Sequence, residues 1–336
     1  MRETGMELMA DVDDLAVMGF SDIPRLIPKL AQLKRKILDR IRRQATSLVI
    51  LVDYPGFNLN LAQAIKKLPY PPSILYYIAP QVWAWRASRT KAMKKAIDQL
   101  AVVFPFEEKL FSAIGMSAKF VGHPLLDELE TYLGQVKTSV NASPKLLALL
   151  PGSRLQEIRR LLPLMITAAE TLRHKHPELS AAVGMAPQID IQVYMNYLTE
   201  RNWIEIRRDS RRLMFDADVA AVCSGTATLE TALLGTPLVV VYKTSLLNYL
   251  IARRFVRLER ISLVNVVAGH EVVRELIQNH LTAPMLSAEL ERLWKDDHAR
   301  KKIQNGYETI RIKLGTPGAA QRVAEMAHEM ISSASK

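Results

Sequence analysis

The chain has 336 residues and a mass of 37.9 kDa, and 49% of its residues are hydrophobic while 24% are charged. This composition excludes a disordered or collagen-like chain, and the length favours two domains over a single core. A single cysteine, Cys223, excludes an internal disulfide and a zinc site built from several thiolates, so no metal site is expected.

Positive charge is concentrated in the first third of the chain. The net charge is +11, and residues 1–125 hold eighteen basic and eleven acidic residues. No apolar run reaches the roughly 18 residues that span a membrane, and the polar, acidic N-terminus is unlike a signal peptide. We therefore expect a cytoplasmic protein with an anionic partner. No RNA-binding signature accompanies the charge, so nucleic acid is not expected as that partner.

Residues 25–43 predict a basic amphipathic helix, because apolar residues recur at spacings of three and four with Lys and Arg between them. The apolar positions are Leu26, Leu30, Leu33, Ile37 and Ile41. Two roles are open for this helix. It can dock on its own domain with a solvated charged face, which is the commoner arrangement, or it can contact an anionic membrane surface. The two roles are compatible.

Strands and helices then alternate. Strands are predicted at 47–53, 73–80, 99–105 and 119–124, and helices at about 59–68 and 86–97. Continuously apolar, β-branched runs are typical of strands buried on both faces, and their alternation with helices predicts a parallel, doubly wound sheet. The polar, turn-rich segment 131–144 follows, and we place a domain boundary there.

A second alternating series predicts a second domain of the same kind. Its strands are expected within 145–154, 180–186, 203–207, 218–226 and 237–242, and its helices at 155–174, 227–234 and 271–278. From residue 286 the pattern is helical. The sequence thus predicts an N-terminal Rossmann-like domain (1–135), a C-terminal one (136–310) and a final helix (311–336), whose return to the N-terminal domain is left open.

Two loops of the second series have the composition of phosphate-binding turns. Each follows a buried strand, contains a glycine and opens a helix, so backbone N–H groups and the helix dipole face the loop. The first consists of Gly152, Ser153 and Arg154, and the second of Ser224, Gly225 and Thr226. Pro-Gly-Ser is also a common turn, and neither loop matches a P-loop or a GxGxxG motif. Two such loops in one domain favour a diphosphate site.

Two polar residues that follow these loops in the chain are further candidates. Glu230, one turn after the second loop, can accept hydrogen bonds from ribose hydroxyls or simply stabilise the start of its helix. Asn265 is a candidate for ligand contact, with the capping of a turn as the alternative.

The ends of the first strands carry a carboxylate and a group of aromatic side chains. Asp53 follows the first clear strand, where it can act as a general base or cap the Tyr-Pro-Gly-Phe bend. The next strand ends close to two indoles and a guanidinium, for which stacking on a ligand and burial in the core are both open. These residues are Trp83, Trp85 and Arg86.

Eight segments, in the same order from about residue 10 to residue 280, resemble the lipid-A-disaccharide synthase family. They read LAVMGFSDIPRL, VDYPGFN, PQVWAWR, PFEEKLF, FVGHPLLDEL, LLPGSR, SGTATLE and ISLVNVVAGHEVVRELIQ. The resemblance implies an α/β fold of the GT-B type, with two facing Rossmann-like domains, and an inverting transfer without metal or cofactor. It implies that 2,3-diacylglucosamine moves from UDP to the 6-hydroxyl of 2,3-diacylglucosamine 1-phosphate, on the cytoplasmic face of the inner membrane of a Gram-negative-type bacterium.

The same resemblance implies a role for each matching residue. Asp53 corresponds to the general base, Arg154 to a residue that holds the diphosphate, and Glu230 to the ribose contact. Asn265 corresponds to a residue on the donor side of the cleft. The remaining nucleotide contacts would come from Gly152, Ser153, Ser224, Gly225 and Thr226. The acceptor or lipid side would be formed by Met18, Trp83, Trp85 and Arg86.

Two departures from the family pattern matter. Gly56 stands where many members have a second Asp, so no paired carboxylate is expected there. Members usually begin with a strand and a Gly-Glu-x-Ser-Gly-Asp loop ahead of the segment that residues 1–6 resemble, so we expect the first sheet to lack that strand and to expose apolar surface. The alternatives are another GT-B UDP-sugar enzyme, such as a peptidoglycan-type transferase or an epimerase, and a non-catalytic protein that binds membranes. An oligomer is compatible with each of them.

Overall fold

Parallel strands separated by helices form both of the units into which the chain divides. A computed structural model describes residues 5–10, 23–80, 87–136, 145–245 and 260–334. The first unit comprises Met1–Pro124 and Pro317–Lys336, and the second comprises Leu125–Thr316. The candidate acceptor-side residues lie outside the described residues: Met18, Trp83, Trp85 and Arg86.

A four-stranded parallel sheet forms the first unit. Its strands, in their spatial order, are β1 (Leu48–Val52), β2 (Ser73–Tyr77), β3 (Gln99–Val102) and β4 (Ala118–Phe120). Its helices before and between the strands are α1 (Ile23–Arg43), α2 (Pro55–Ile65), α3 (Ala87–Ala96) and α4 (Pro105–Ala113). Helices α2 and α4 start at prolines, which suit a first helical position because φ is already fixed there and no N–H is needed.

The basic helix α1 docks on its own unit over the second half of its length. Ile37, Leu38 and Ile41 pack against the buried core of the first sheet. Ile27, near the start of the helix, is 61% exposed. Within the described ranges, no helix combines the length and the apolarity that crossing a bilayer requires. Docking therefore accounts for the apolar positions of the second half of α1.

Strand β1 is the outer strand of this sheet as far as the structure describes it. It pairs with β2 along its whole length, from Leu48 beside Ser73 to Val52 beside Tyr77. Ile50 and Val52 are each 44% exposed. Apolar surface is thus exposed along this strand.

The last helix, α13 (Ala319–Ala334), belongs to the first unit although the second unit precedes it in the chain. Its Met326 is buried in one cluster with Leu75 of β2 and Ala101 of β3. Arg322 donates from Nε to the carbonyl oxygen of Val121 at 2.7 Å. The first unit is therefore built from both ends of the chain.

A six-stranded parallel sheet forms the second unit. Its strands are β5 (Leu146–Leu150), β6 (Ser180–Gly184), β7 (Ile204–Arg207), β8 (Val219–Cys223), β9 (Leu238–Tyr242) and β10 (Glu275–Ile277). The spatial order is β10-β9-β8-β5-β6-β7. The helices are α5 (Pro124–Gln135), α6 (Leu155–Lys175), α7 (Ile191–Leu198), α8 (Ser210–Asp216), α9 (Thr226–Leu233), α10 (Leu263–Ala268), α11 (Ala283–Lys295) and α12 (Asp297–Lys313). All five residues of β5 and of β8 are buried, as expected for central strands covered on both faces.

Two expectations from the sequence differ from this structure. The helix predicted at 271–278 is wrong, because strand β10 lies there and pairs with β9, and α10 occurs earlier in the chain. Periodicity alone does not distinguish a short apolar strand from a short apolar helical segment. The chain also divides after Pro124 rather than at residue 135, since residues 124–135 form α5, which packs on the second unit through contacts such as the Tyr132 ring edge against Phe215.

Candidate functional site

The two glycine loops emerge side by side from the centre of the second sheet. Strand β5 has β6 on one side and β8 on the other, and Leu150 of β5 lies beside Val222 of β8. After β5 the chain adds β6 and β7 on one side of that strand, and then adds β8, β9 and β10 on its other side. Open α/β sheets bind their ligands outside the carboxyl ends of the strands at such a reversal. Both loops therefore lie where this sheet is built to hold a ligand.

The first loop, between β5 and α6, presents a guanidinium beside the start of a helix. Gln188 holds the loop by donating from Nε2 to the carbonyl oxygen of Ser153 at 2.9 Å. Glu157, in the first turn of α6, accepts hydrogen bonds from the backbone N–H of Arg154 at 3.2 Å and from its Nη1 at 2.8 Å. The Arg154 side chain is 82% exposed, so its other N–H groups face solvent and can reach an anion.

Gly152 lets this loop pass close to its neighbours. Its φ is +107°, and a Cβ placed there would lie 2.5 Å from Glu157 Oε2 and 3.1 Å from Cys223 Sγ. No side chain fits at this position unless neighbouring atoms move. The short distance to Cys223, the last residue of β8, shows that the two loops are adjacent. Burial, and after it the charge of Glu157, raises the pKa of the Cys223 thiol to about 12, so the thiol is neutral at physiological pH.

The second loop, between β8 and α9, is fixed by hydrogen bonds and open on its outer side. Ser224 donates from its backbone N–H to Val241 and from Oγ to the carbonyl oxygen of Ile261 at 3.0 Å. A Cβ built on Gly225 would meet nothing within 4 Å. Thr226 begins α9, and the first N–H groups of a helix have no acceptor within it. The loop can therefore admit an anion next to these amides.

Glu230 lies one turn into α9 and is already paired. Its Oε1 accepts from Arg211 Nε at 2.5 Å, and the Glu230 side chain is 16% exposed. Arg211 also donates from Nη2 to Glu128 Oε2 of α5 at 2.7 Å. The sequence patterns do not single out Arg211, because it is 19 residues from Glu230 and stands in a run of basic residues.

Asn265 is saturated by hydrogen bonds within the protein. It is 1% exposed, and its Nδ2 donates to the carbonyl oxygen of Val273 and to Glu275 Oε1, each at 2.8 Å. Its Oδ1 accepts from the backbone N–H groups of Val272 and Val273. An asparagine amide offers two donors and two acceptor sites, so no position is left for a ligand. Asn265 therefore organises the turn between α10 and β10.

Glu275 of β10 collects the polar groups around this turn. Its carboxylate accepts from the backbone N–H groups of Ile261 and Ser262, from Ser262 Oγ and from Asn265. The carbonyl oxygen of Ile261 accepts from Ser224 Oγ, so Glu275 supports the second loop indirectly, through Ile261. In the sequence Glu275 follows Arg274 in the mixed segment EVVRELIQ, whose pattern predicts a helix, so its neighbours do not single it out.

In the first unit, Asp53 occupies a turn with a constrained backbone. Asp53 and Tyr54 have φ values of 44° and 45°. The Asp53 carbonyl oxygen accepts from Tyr76 Oη at 2.6 Å and from Asn58 Nδ2 at 2.8 Å. Burial, and after it the charge of Asp53, raises the pKa of Tyr76 well above its usual range, so this hydroxyl remains a donor.

These hydrogen bonds hold the backbone of Asp53 that carries its carboxylate. Asp53 is exposed, and among the described residues its carboxylate makes no hydrogen bond or ion pair. An accessible carboxylate of this kind can accept a proton from a bound hydroxyl group.

Comparison with known proteins gives one consistent family. The family model for lipid-A-disaccharide synthetase matches residues 1–330. Two relatives are both named lipid-A-disaccharide synthase. The one from Anaeromyxobacter dehalogenans (strain 2CP-1) is 40% identical over 97% of this chain and 86% of its own length. The one from Syntrophus aciditrophicus is 39% identical over 98% of this chain and 88% of its own length.

Solved structures with much lower identity share the fold. The UDP-GlcNAc 2-epimerase from Neisseria meningitidis bound to UDP-GlcNAc has a TM-score of 0.63 at 12% identity, covering 89% of this chain and 82% of that one. The glycotransferase of kitacinnamycin has a TM-score of 0.61 at 12% identity, covering 98% and 88%. These neighbours establish the GT-B fold class that the sequence predicted.

Proposed function

The chain belongs to the lipid-A-disaccharide synthase family, and on that basis we propose that it transfers 2,3-diacylglucosamine from UDP to the 6-hydroxyl of 2,3-diacylglucosamine 1-phosphate. The products are a β-1′,6-linked disaccharide 1-phosphate and UDP. Because the family match covers almost the whole chain, the chain is a UDP-sugar glycosyltransferase. The epimerase, the peptidoglycan-type transferase and the non-catalytic alternatives are set aside.

The observation that carries the donor side of this proposal is the adjacency of the two glycine loops at the reversal of the second sheet. We assign the UDP diphosphate to the amides of Gly152, Ser153, Gly225 and Thr226, with Ser224 shaping the second loop. Arg154 binds the same group. As the bond to the anomeric carbon breaks, negative charge grows on the leaving diphosphate, and the Arg154 guanidinium offsets it.

The ribose is assigned to Glu230, whose paired carboxylate retains acceptor capacity for hydroxyl groups. Asn265 acts indirectly in this scheme. It holds the turn beside the donor site and makes no contact with the nucleotide.

Asp53 is the general base of the proposed reaction. Its carboxylate takes the proton from the acceptor 6-hydroxyl while that oxygen attacks the anomeric carbon from the face opposite the diphosphate. A single displacement of this kind inverts the anomeric configuration and requires one base. The exposed carboxylate on a pinned backbone supports this role. We keep Met18, Trp83, Trp85 and Arg86 as the acceptor or lipid side.

Contact with a membrane is proposed through the first half of α1. Ile27 is 61% exposed there, and Lys29 near it is also exposed. Arg35 and Lys36, just past the middle of the helix, are exposed as well, whereas the apolar residues of the second half are docked on the core. A cationic helix with exposed apolar residues binds anionic bilayers through charge and partial insertion. Both substrates carry acyl chains, so we propose peripheral binding to the cytoplasmic face of a bacterial inner membrane.

The test of this function is transfer by the purified chain from UDP-2,3-diacylglucosamine to its 1-phosphate acceptor, followed by thin-layer chromatography. Asp53→Asn keeps the shape of the side chain and removes the base. We expect the transfer rate to fall about 10²- to 10⁴-fold while UDP binding, measured by calorimetry, stays within about twofold.

Asp39→Asn is the matched control, because it removes one exposed carboxylate of α1 from the same unit. It should leave transfer unchanged. An Asp53→Asn variant with the turnover of the unsubstituted chain would remove Asp53 from the mechanism, and a chain that binds no UDP would refute the donor site.

A further inference from the structure

We propose that Arg211 is a positioning residue that orients the Glu230 carboxylate and thereby sets the preference of the second unit for nucleotides with an intact ribose. The inference rests on the proposed function, in which Glu230 contacts the ribose of a uridine nucleotide. It assigns to Arg211 a role in recognition although its guanidinium reaches the nucleotide only through Glu230.

The guanidinium of Arg211 is held from three sides within the second unit. Nε donates to Glu230 Oε1 at 2.5 Å, and Nη2 donates to Glu128 Oε2 at 2.7 Å. The Cζ atom lies 5.7 Å from the centroid of the Tyr132 ring. A planar guanidinium that uses two nitrogens for two carboxylates cannot turn without losing one of them, so Glu128 of α5 and Glu230 of α9 together fix its direction.

This arrangement occupies only one of the two carboxylate oxygens of Glu230. Arg211 occupies Oε1, and Oε2 makes no hydrogen bond or ion pair within the described part of the chain. The Glu230 side chain is 16% exposed, and the Arg211 guanidinium supplies the opposite charge beside it. The oxygen left over can accept from vicinal hydroxyl groups, as acidic residues do for ribose in dinucleotide folds. Arg211 therefore determines the direction of the acceptor oxygen.

The neighbouring residue provides a matched control. Arg212 lies on the same helix, but its Nε donates to Asp216 at 2.9 Å and its Cζ lies 5.7 Å from the Phe215 ring. It has the same charge, a similar exposure and a similar pair of contacts, yet it does not touch Glu230. Replacing Arg212 therefore measures the effect of removing one positive charge from α8 without removing a contact to Glu230.

The experiment compares the binding of UDP and 2′-deoxy-UDP by calorimetry to the full chain and to Arg211→Gln, Arg211→Lys and Arg212→Gln. We expect the unsubstituted chain to prefer UDP. Arg211→Gln should lower UDP affinity about tenfold or more and change 2′-deoxy-UDP affinity much less, so the ratio collapses. Arg211→Lys should keep part of the preference, because it preserves the charge but not the fork. Arg212→Gln should leave the ratio unchanged.

A double variant separates positioning from general destabilisation. If Arg211 acts through Glu230, Arg211→Gln should have little further effect on the UDP preference in a Glu230→Gln background. If Arg211→Gln does not fold, Glu128→Gln takes its place, since it removes one anchor of the guanidinium and leaves Glu230 intact. We then expect a two- to fivefold loss in the same ratio.

Two results would count against the idea, and they differ. An Arg211→Gln or Glu128→Gln variant that keeps the full preference for UDP would overturn the role of Arg211 while the proposed function stands. A chain that binds neither nucleotide would instead overturn the proposed donor site itself.

Discussion

Replacing Gly152 by alanine tests whether the close approach of the first loop is needed for nucleotide binding. At φ +107° an alanine is strained by about 1–3 kcal/mol. Its Cβ would also lie 2.5 Å from Glu157 Oε2, which accepts the Arg154 backbone N–H. Moving Glu157 away loses its two hydrogen bonds to Arg154, each of which contributes about 0.5–1.5 kcal/mol.

Together these effects amount to about 2–6 kcal/mol. For a domain of this size, the corresponding fall in melting temperature is roughly 4–24 °C. UDP affinity should fall by more than the loss of folding stability alone would cause, because Arg154 loses the Glu157 carboxylate that orients it. The loss of a charge-assisted contact weakens binding by about 10- to 100-fold. Thermal denaturation and calorimetric titration with UDP measure the two effects separately.

Gly134→Ala is the control for this substitution. Gly134 lies in helix α5, and a Cβ built there meets nothing within 4 Å. Alanine should leave UDP binding unchanged and stabilise the helix by up to about 1 kcal/mol. The reasoning is refuted if Gly152→Ala melts at the temperature of the unsubstituted chain and binds UDP with the same affinity.

Two further predictions follow from ionisable groups of the second unit. Because the pKa of Cys223 is raised to about 12, iodoacetamide at pH 8 should alkylate the native chain about a thousandfold more slowly than the unfolded chain. Because the thiol stays protonated in the folded chain, its contribution to the free energy of unfolding is complete below pH 9 and is lost as the pH rises from 9 to 12. Over that range the unsubstituted chain should lose more stability than Cys223→Ala does, as measured by denaturant unfolding. Lys175, and then His176, lower the pKa of Glu291, so its contribution is present above the usual value of 4.5 and is lost as the pH falls below it. Glu291→Gln should therefore cost up to about 1 kcal/mol at pH 7 and almost nothing at pH 3 by urea unfolding; an equal cost at both values would contradict this assignment.

The strand runs and the glycine loops are predictable because they are local properties of the chain. The run at 146–150 is continuously apolar and ends in Pro-Gly-Ser, so the residues themselves indicate both the strand and the loop after it. Asp53 stands out for the same reason, as a carboxylate directly after such a run. The strand at 275–277 is mistaken for part of a helix, because three residues do not carry enough periodicity to distinguish a strand from a helix.

Partners distant in the chain cannot be predicted from these patterns. Nothing in the sequence indicates that Arg211 pairs with Glu230, or that Asn265 uses all its hydrogen bonds on its own turn. Such pairings depend on which helices lie next to each other, and that is decided by packing of whole elements. As a result, only the structure shows that Asn265 is saturated within its own turn, and that Arg211 and Glu275 are linked to the candidate site.

The sequence by itself determined the chemistry that is available: two small, amide-rich turns, one arginine beside them and a carboxylate at the end of a strand. Only the tertiary structure decided that β8 lies beside β5, although some seventy residues separate them in the chain. The physical reason is that strand order is set by burying the apolar faces of all strands and helices at once. That order brings the two loops side by side, where they form one candidate site.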